Sequence, residues 1–142
     1  SRESLESLAC DLRIEPAVRF HGRLPIESIP AAVATADIGL APTRRSDFTD
    51  FSLSTKIFEY AAMGKPVVAS HLPTVERYFP DGELRTYEPG DDASLAAAVG
   101  ALVDDPTVRA SHVRRTAELA SGLSWERQVE RYLALLDRLA TG

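Results

Sequence analysis

The residues best suited to chemistry crowd into one short stretch: the hydroxyls of Ser52, Ser54 and Thr55, the ammonium of Lys56 and the carboxylate of Glu59. Their spacing predicts a helix. Leu53, Ile57, Tyr60, Ala61 and Gly64 recur at i, i+4, i+7, i+8 and i+11 and form one apolar stripe. Ser52, Thr55, Lys56, Glu59 and Met63 fall on the other side. The start of a helix carries unpaired N–H groups and a partial positive charge, so it suits an anion. Ser52 or Ser54 can cap that start. A lysine in the first turn opposes the helix dipole; Lys56 makes better sense where a phosphate sits than as a device for helix stability. Glu59, about a turn deeper, is placed to accept hydrogen bonds from sugar hydroxyls. The plainer reading of the same face is a solvated surface with a weak Lys56–Glu59 pair at i, i+3.

The elements that must hold this stretch follow from the flanking patterns. The chain opens inside a helix, with Leu5, Leu8, Ala9 and Leu12 on one stripe. Ala17 to His21 reads as a buried strand stopped by Gly22. Ser28 can cap a short helix, with Pro30 near its start and Ile29, Ala32, Val33 and Ala36 inward. Asp37 to Ala41 is a second short strand, ended by Pro42, and the polar loop Thr43 to Ser52 leads into the central helix. Gly64 stops that helix, and Pro66 to Ser70 is a buried strand.

Pro73 to Phe79 reads as one helical turn, Pro80-Asp81-Gly82 as a turn, Leu84 to Tyr87 as a strand and Glu88-Pro89-Gly90 as another turn. Asp91 or Asp92 caps a helix with Leu95, Ala98, Val99, Leu102 and Val103 inward. Asp105-Pro106 begins the next, which runs to about Ser121 with Gly122 as its stop. Ser124 caps a last helix with Trp125, Val129, Tyr132, Leu133, Leu136 and Leu139 on one face. Alternating strands and helices imply a three-layer α/β/α, Rossmann-like, doubly wound parallel sheet. Such sheets bind ligands beyond the C-terminal ends of their strands, where the loops 21–25, 42–52 and 70–74 emerge.

Composition narrows the function classes. The 142 residues suffice for one domain, residues 1–142, with a core of its own. A hydrophobic share of 44% argues against disorder, and a net charge of -5 argues against a nucleic-acid surface. No apolar run approaches membrane-spanning length and no signal-peptide pattern opens the chain, so a cytoplasmic location is expected. Cys10 is alone, which excludes an internal disulfide. The three histidines are scattered: His21 reads as a structural residue, His71 as a loop residue open to either role, and His112 as an exposed one. Asp47 and Asp50 read as solvated loop carboxylates, and no metal is expected. Arg44 and Arg45 lie in the polar loop, where arginine forks suit a diphosphate, although exposed loop arginines are common. Gly64-Lys65 lacks the upstream glycine and following hydroxyl of a P-loop.

The words of the sequence carry a resemblance. Ala-Asp-Ile-Gly-Leu-Ala-Pro-Thr, then a loop, then Ser-Thr-Lys-Ile-Phe-Glu-Tyr-Ala-Ala-Met-Gly-Lys-Pro-Val-Val-Ala-Ser, resembles the donor-site signature of glycosyltransferases with the GT-B fold, in particular the family-4 retaining enzymes. Val-Arg-Phe-His-Gly-Arg-Leu-Pro, Glu76, Asp81-Gly82, Pro89-Gly90-Asp91 and Ser124-Trp125-Glu126 extend the match over nearly the whole chain.

The resemblance implies the C-terminal half of such an enzyme. The donor would be a nucleotide-sugar, a UDP- or GDP-sugar, with no separate cofactor. The helix start over Ser52, Leu53, Ser54, Thr55 and Lys56 would take the diphosphate, Glu59 the ribose hydroxyls and Gly22 would lie near the base, with Arg23 and Asp50 also among the donor-binding residues. It implies no proton-transfer role for Glu59 and leaves the catalytic residues unassigned. The partners implied are the donor, an N-terminal acceptor domain of the same protein and no nucleic acid, with peripheral membrane association through that other half; the biology would be polysaccharide or glycoconjugate synthesis. The first strand of this domain and the acceptor half would lie upstream, so the fragment alone is expected to be inactive. One position departs: the family commonly carries two glutamates separated by seven residues, and here the position that pairs with Glu59 is Phe51, with Asp50 beside it. The alternatives are a sugar-nucleotide epimerase-like domain on the same diphosphate site and a non-catalytic α/β interaction domain.

Overall fold

The computed structural model describes residues 1–80 and 82–141, and Asp81 of the expected turn lies outside them. The chain divides into two compact units, Ser1–Ala31 and Ala32–Gly142.

In the first unit, helix α1 spans Arg2–Asp11 and begins at Ser1, whose side chain accepts a hydrogen bond from the Ser4 N–H. Ala9 is buried, but Leu5, Leu8 and Leu12 of the predicted stripe are about half exposed. The strand expected over Ala17–His21 is absent. Residues Glu15–Ala17 form a 3-10 turn and the chain then runs extended, with Val18 and Phe20 half-buried and Arg19 and His21 exposed. An extended segment becomes a strand only through ladder bonds to a partner, and no described residue pairs with it. Gly22 has φ +69°, a conformation that suits glycine.

The second unit carries the sheet. Strands β1 (Gly39–Ala41), β2 (Val67–Ser70) and β3 (Arg85–Tyr87) pair in parallel in the order β1-β2-β3. Helix α2 (Ile29–Ala34), inside which the division falls, precedes β1, and Ala32, Val33 and Ala36 are half-buried. Helix α3 (Thr55–Ala62) connects β1 to β2, and α4 (Pro73–Tyr78) connects β2 to β3. Helices α5 (Asp92–Asp104), α6 (Pro106–Gly122) and α7 (Trp125–Thr141) follow.

The central strand explains the layering. Every residue of β2 is buried, as expected where helices cover both faces of a parallel sheet. Val67 and Ala69 point to one face and join Ile57, Leu72, Val75, Phe79 and Leu84, with Leu119 of α6 against them. Val68 points to the other face and joins Tyr87, Ala98 and Leu102. The arrangement is the expected three-layer α/β/α sandwich with a doubly covered parallel sheet.

The helix starts behave as their side chains dictate. The Asp91 carboxylate accepts from the Ser94 N–H, and Asp105 accepts from those of Thr107 and Val108. Several expectations about helix faces fail. Ile29, expected inward, is 36% exposed. Val103 points outward at 55% exposure, because the buried row of α5 runs through Ala98 and Leu102. His112 is buried, not exposed: α6 turns it toward the sheet, where its Nε2 lies 3.0 Å from the Val67 carbonyl oxygen. Burial pushes its pKa below the ordinary histidine value; the Val67 carbonyl opposes that shift, and Arg85 and Arg115 add to it. Helix α7 keeps its predicted stripe but leaves it bare, with Trp125 76% and Leu139 72% exposed, so the stripe is not core in this chain.

Candidate functional site

Helix α3 is positioned at both ends. Ile57 and Ala61 anchor its inner face at 1% and 3% exposure. Its C-terminus closes in a Schellman arrangement: the Lys65 N–H donates to the Tyr60 carbonyl and the Gly64 N–H to that of Ala61, with Gly64 at φ +65°. Lys65 then turns back and donates its Nζ to the Ala34 carbonyl at 2.7 Å. It is thus a structural tether.

At the N-terminus Ser54 occupies the cap position, as one of the two expected serines, yet its side chain accepts no hydrogen bond. Ser52 instead ends a 3-10 turn over Thr49–Phe51. The first-turn N–H groups of Thr55 and Lys56 are consequently left without a side-chain cap. Thr55, Lys56 and Glu59 are exposed, and Ser52, Leu53 and Ser54 are half-buried, with Leu53 packed against the core. No hydrogen bond or ion pair engages the Lys56 ammonium or the Glu59 carboxylate among the described residues, so the expected Lys56–Glu59 pair does not form. Glu59 is felt by its neighbour: burial, then the Glu59 charge, raise the Tyr60 phenol pKa.

The loop before α3 is built and latched. Thr49 and Ser46 exchange hydrogen bonds, and the Thr49 hydroxyl donates to the Arg44 carbonyl at 2.7 Å. The Thr43 N–H donates to Ser70 Oγ at 2.8 Å, and Ser70 Oγ lies 3.1 Å from the Tyr87 hydroxyl. The Thr74 hydroxyl donates to the Asp50 carbonyl. Arg45 donates to the His71 carbonyl at 3.2 Å and lies 3.6 Å from the Asp50 carboxylate and 3.8 Å from that of Glu88. Arg45 therefore ties the loop to the ends of β2 and β3.

These latches bring Asp50, Ser52, Leu53, Ser54, Thr55, Lys56 and Glu59 to the C-terminal rim of the sheet, where such folds bind ligands. Gly22 and Arg23 belong to the first unit, and both are exposed there. Phe51 is 89% exposed and lines a cavity of about 290 Å³ with Leu53, Thr74 and Tyr78. Ser70, Thr74 and Tyr87 were not legible as site residues. Their signal would have been a hydroxyl at or just past a strand end, which is too common to single out. Among the described residues no group of three or more His, Cys, Asp or Glu side chains is gathered as metal ligands would be. No described helix is long and apolar enough to cross a membrane.

Residues 1–105 match the family described as glycosyl transferases group 1. The chain belongs to that family. A phosphatidyl-myo-inositol mannosyltransferase of Mycobacterium leprae is 31% identical over 125 residues, 87% of this chain and 32% of the relative. A D-inositol 3-phosphate glycosyltransferase of Acidothermus cellulolyticus is 31% identical over 140 residues, 97% of this chain and 30% of that protein. This group 1 chain thus spans about a third of the length of the curated relatives it matches. Among solved structures, a sucrose-phosphate synthase from Thermosynechococcus elongatus superimposes with a TM-score of 0.81 at 21% identity, over 99% of this chain and 34% of that one. The shared architecture is the α/β fold of the GT-B glycosyltransferases, as the sequence words implied.

Proposed function

We propose that this chain is the donor-binding half of a retaining glycosyltransferase that moves a sugar from a nucleotide-sugar to an acceptor hydroxyl. The observation that carries the reading is the free start of α3: N–H groups without a side-chain cap, an unpaired Lys56 in the first turn and an unpaired Glu59 one turn on, all at the C-terminal rim of a parallel sheet. When the bond from the anomeric carbon to the diphosphate breaks, negative charge builds on the leaving oxygens. The helix start and Lys56 stabilise that charge where it develops. Glu59 accepts hydrogen bonds from the ribose hydroxyls and fixes the nucleotide's orientation. The acceptor is held by the remainder of the protein, and the bare apolar stripe of α7 is the surface of this chain suited to meet it.

Replacing Glu59 by glutamine tests the ribose contact. The change exchanges a charged acceptor for a neutral one and should weaken UDP or GDP binding by about 1–2 kcal/mol. Thermal unfolding should stay in place, because the side chain is exposed and unpaired. Calorimetric titration of both nucleotides into the two proteins gives the answer, and unchanged affinity would remove Glu59 from the site.

The same site is proposed to work without a divalent cation. Asp50, the carboxylate nearest to hand, lies beside the Arg45 guanidinium, and the positive charge at the diphosphate comes from Lys56 and the helix start. Nucleotide affinity should then be equal in EDTA and in excess Mg²⁺ or Mn²⁺. A drop of about tenfold in EDTA, roughly 1.4 kcal/mol, that Asp50→Asn abolishes would make Asp50 a metal ligand.

A further inference from the structure

The donor rim lies at the C-terminal ends of the strands. At their N-terminal ends, α6 and the start of β3 enclose a separate cavity of about 420 Å³, within the range of small-molecule sites. Arg85 opens β3, and Ser111, His112 and Arg115 lie on α6, where positions 111 and 115, and 112 and 115, share a face. Thr107 completes the polar lining, and among the described residues no Asp or Glu lines the cavity. The nearby Asp105 carboxylate is engaged with the Thr107 and Val108 N–H groups, so the first-turn amides of α6 are already satisfied.

Neither guanidinium has a hydrogen bond or an ion pair among the described residues, in a chain with five more acidic than basic side chains. Two cations sharing one cavity repel each other unless an anion lies between them. The third group is His112. A carbonyl only accepts, so Nε2 must carry the proton that bonds Val67 O. That leaves Nδ1 as a polar atom without a partner on a residue only 8% exposed.

We propose that this cavity is a second anion site, which takes the phosphate group of a small soluble molecule between Arg85, Arg115 and His112, whose Nδ1 takes up a proton as the phosphate binds and then donates to it, with the Ser111 and Thr107 hydroxyls beside it. Guanidinium forks match phosphate oxygens. The cavity exceeds what a bare phosphate fills and leaves room for an attached organic part. The site does not depend on the donor reading, since it shares no residue with the rim.

The test follows the imidazole of His112 by nitrogen NMR in the full chain while inorganic phosphate is added. The groups that face the ring are Arg85 from β3, Arg115 from its own helix and the Val67 carbonyl from β2. Phosphate beside Nδ1 should raise the proton affinity of His112 about tenfold, one pKa step, and leave His21 and His71 unmoved. In the Arg85→Gln, Arg115→Gln double variant the affinity for the proton starts higher, because two cations are gone, and phosphate no longer changes it. Ser111→Ala, a milder change, should weaken the phosphate response several-fold and keeps the test alive if the double variant fails to fold. The proposal is overturned if His112 ignores tens of millimolar phosphate, if the double variant responds like the parent, or if Ser111→Ala leaves the response intact. A His112 response to phosphatidylglycerol vesicles but not to free phosphate would overturn the assignment to a soluble ligand.

Discussion

Phe79→Ala should lower the free energy of unfolding by about 3–5 kcal/mol. The ring is 2% exposed at the end of α4, within the cluster that includes Ile57, Val67, Leu72 and Leu84. It meets the Phe58 ring at 5.9 Å between centroids, tilted by 45°, which adds an aromatic contact to the area buried. Removing it leaves a cavity walled by β2, α3 and α4, whose backbones are fixed by ladder and helix bonds and cannot close in. Against a typical total of about 5–15 kcal/mol, that loss takes much of the stability. Urea unfolding is the measurement, with Phe79→Leu as the milder comparison expected to keep more than half. A loss under about 1 kcal/mol would mean that this face of the sheet is not packed as described.

Gly39→Val should cost about 3 kcal/mol, at the upper end for overpacking, and should weaken nucleotide binding as well. A Cβ on Gly39 would sit 2.4 Å from Cγ and Cδ2 of Tyr60. Those are the root of the ring, so a rotamer change cannot clear them; the helix that carries Tyr60 has to move. That helix is α3, and Lys56 and Glu59 ride on it. The backbone of β1 cannot give way instead, since the Gly39 N–H is bonded to the Pro66 carbonyl at 2.9 Å and the strand is in register with β2. A double-mutant cycle separates the clash from any loss of strand propensity: Tyr60→Ala in the Gly39→Val background should restore part of the stability. If the two changes simply add, the close approach is not the cause.

Local chemistry was the legible part of this sequence. The Asp91 and Asp105 caps, the stop at Gly64 and the buried row Val67–Ser70 each depend on residues within one turn or one strand, and all appear as read. What failed depends on partners elsewhere in the chain. Residues 17–21 have strand-like side chains but no ladder, and only a neighbour could supply one. His112 sits in a helix polar on every side, so no period marked its inner face; the Val67 carbonyl 45 positions away decides it. The α7 stripe was visible, but a stripe does not state whether anything covers it. At the rim, the polar face of α3 could be read directly, whereas the Thr43–Ser70–Tyr87 and Arg45 latches that hold the preceding loop join segments far apart in sequence.

The parallel register has a kinetic meaning. Because Gly39 aligns with Val67 and Val68 with Arg85, the chain must close a crossover of about 28 residues to add β1 but only about 17 to add β3. Loop-closure entropy then favours the β2–β3 pair, by about 0.4 kcal/mol, and the α4 turn between them forms locally. The nucleus of folding would be β2, α4 and β3, with β1 and the loop behind it joining late. The part of the molecule proposed to meet the nucleotide is in this way also the last to be assembled and the first to let go.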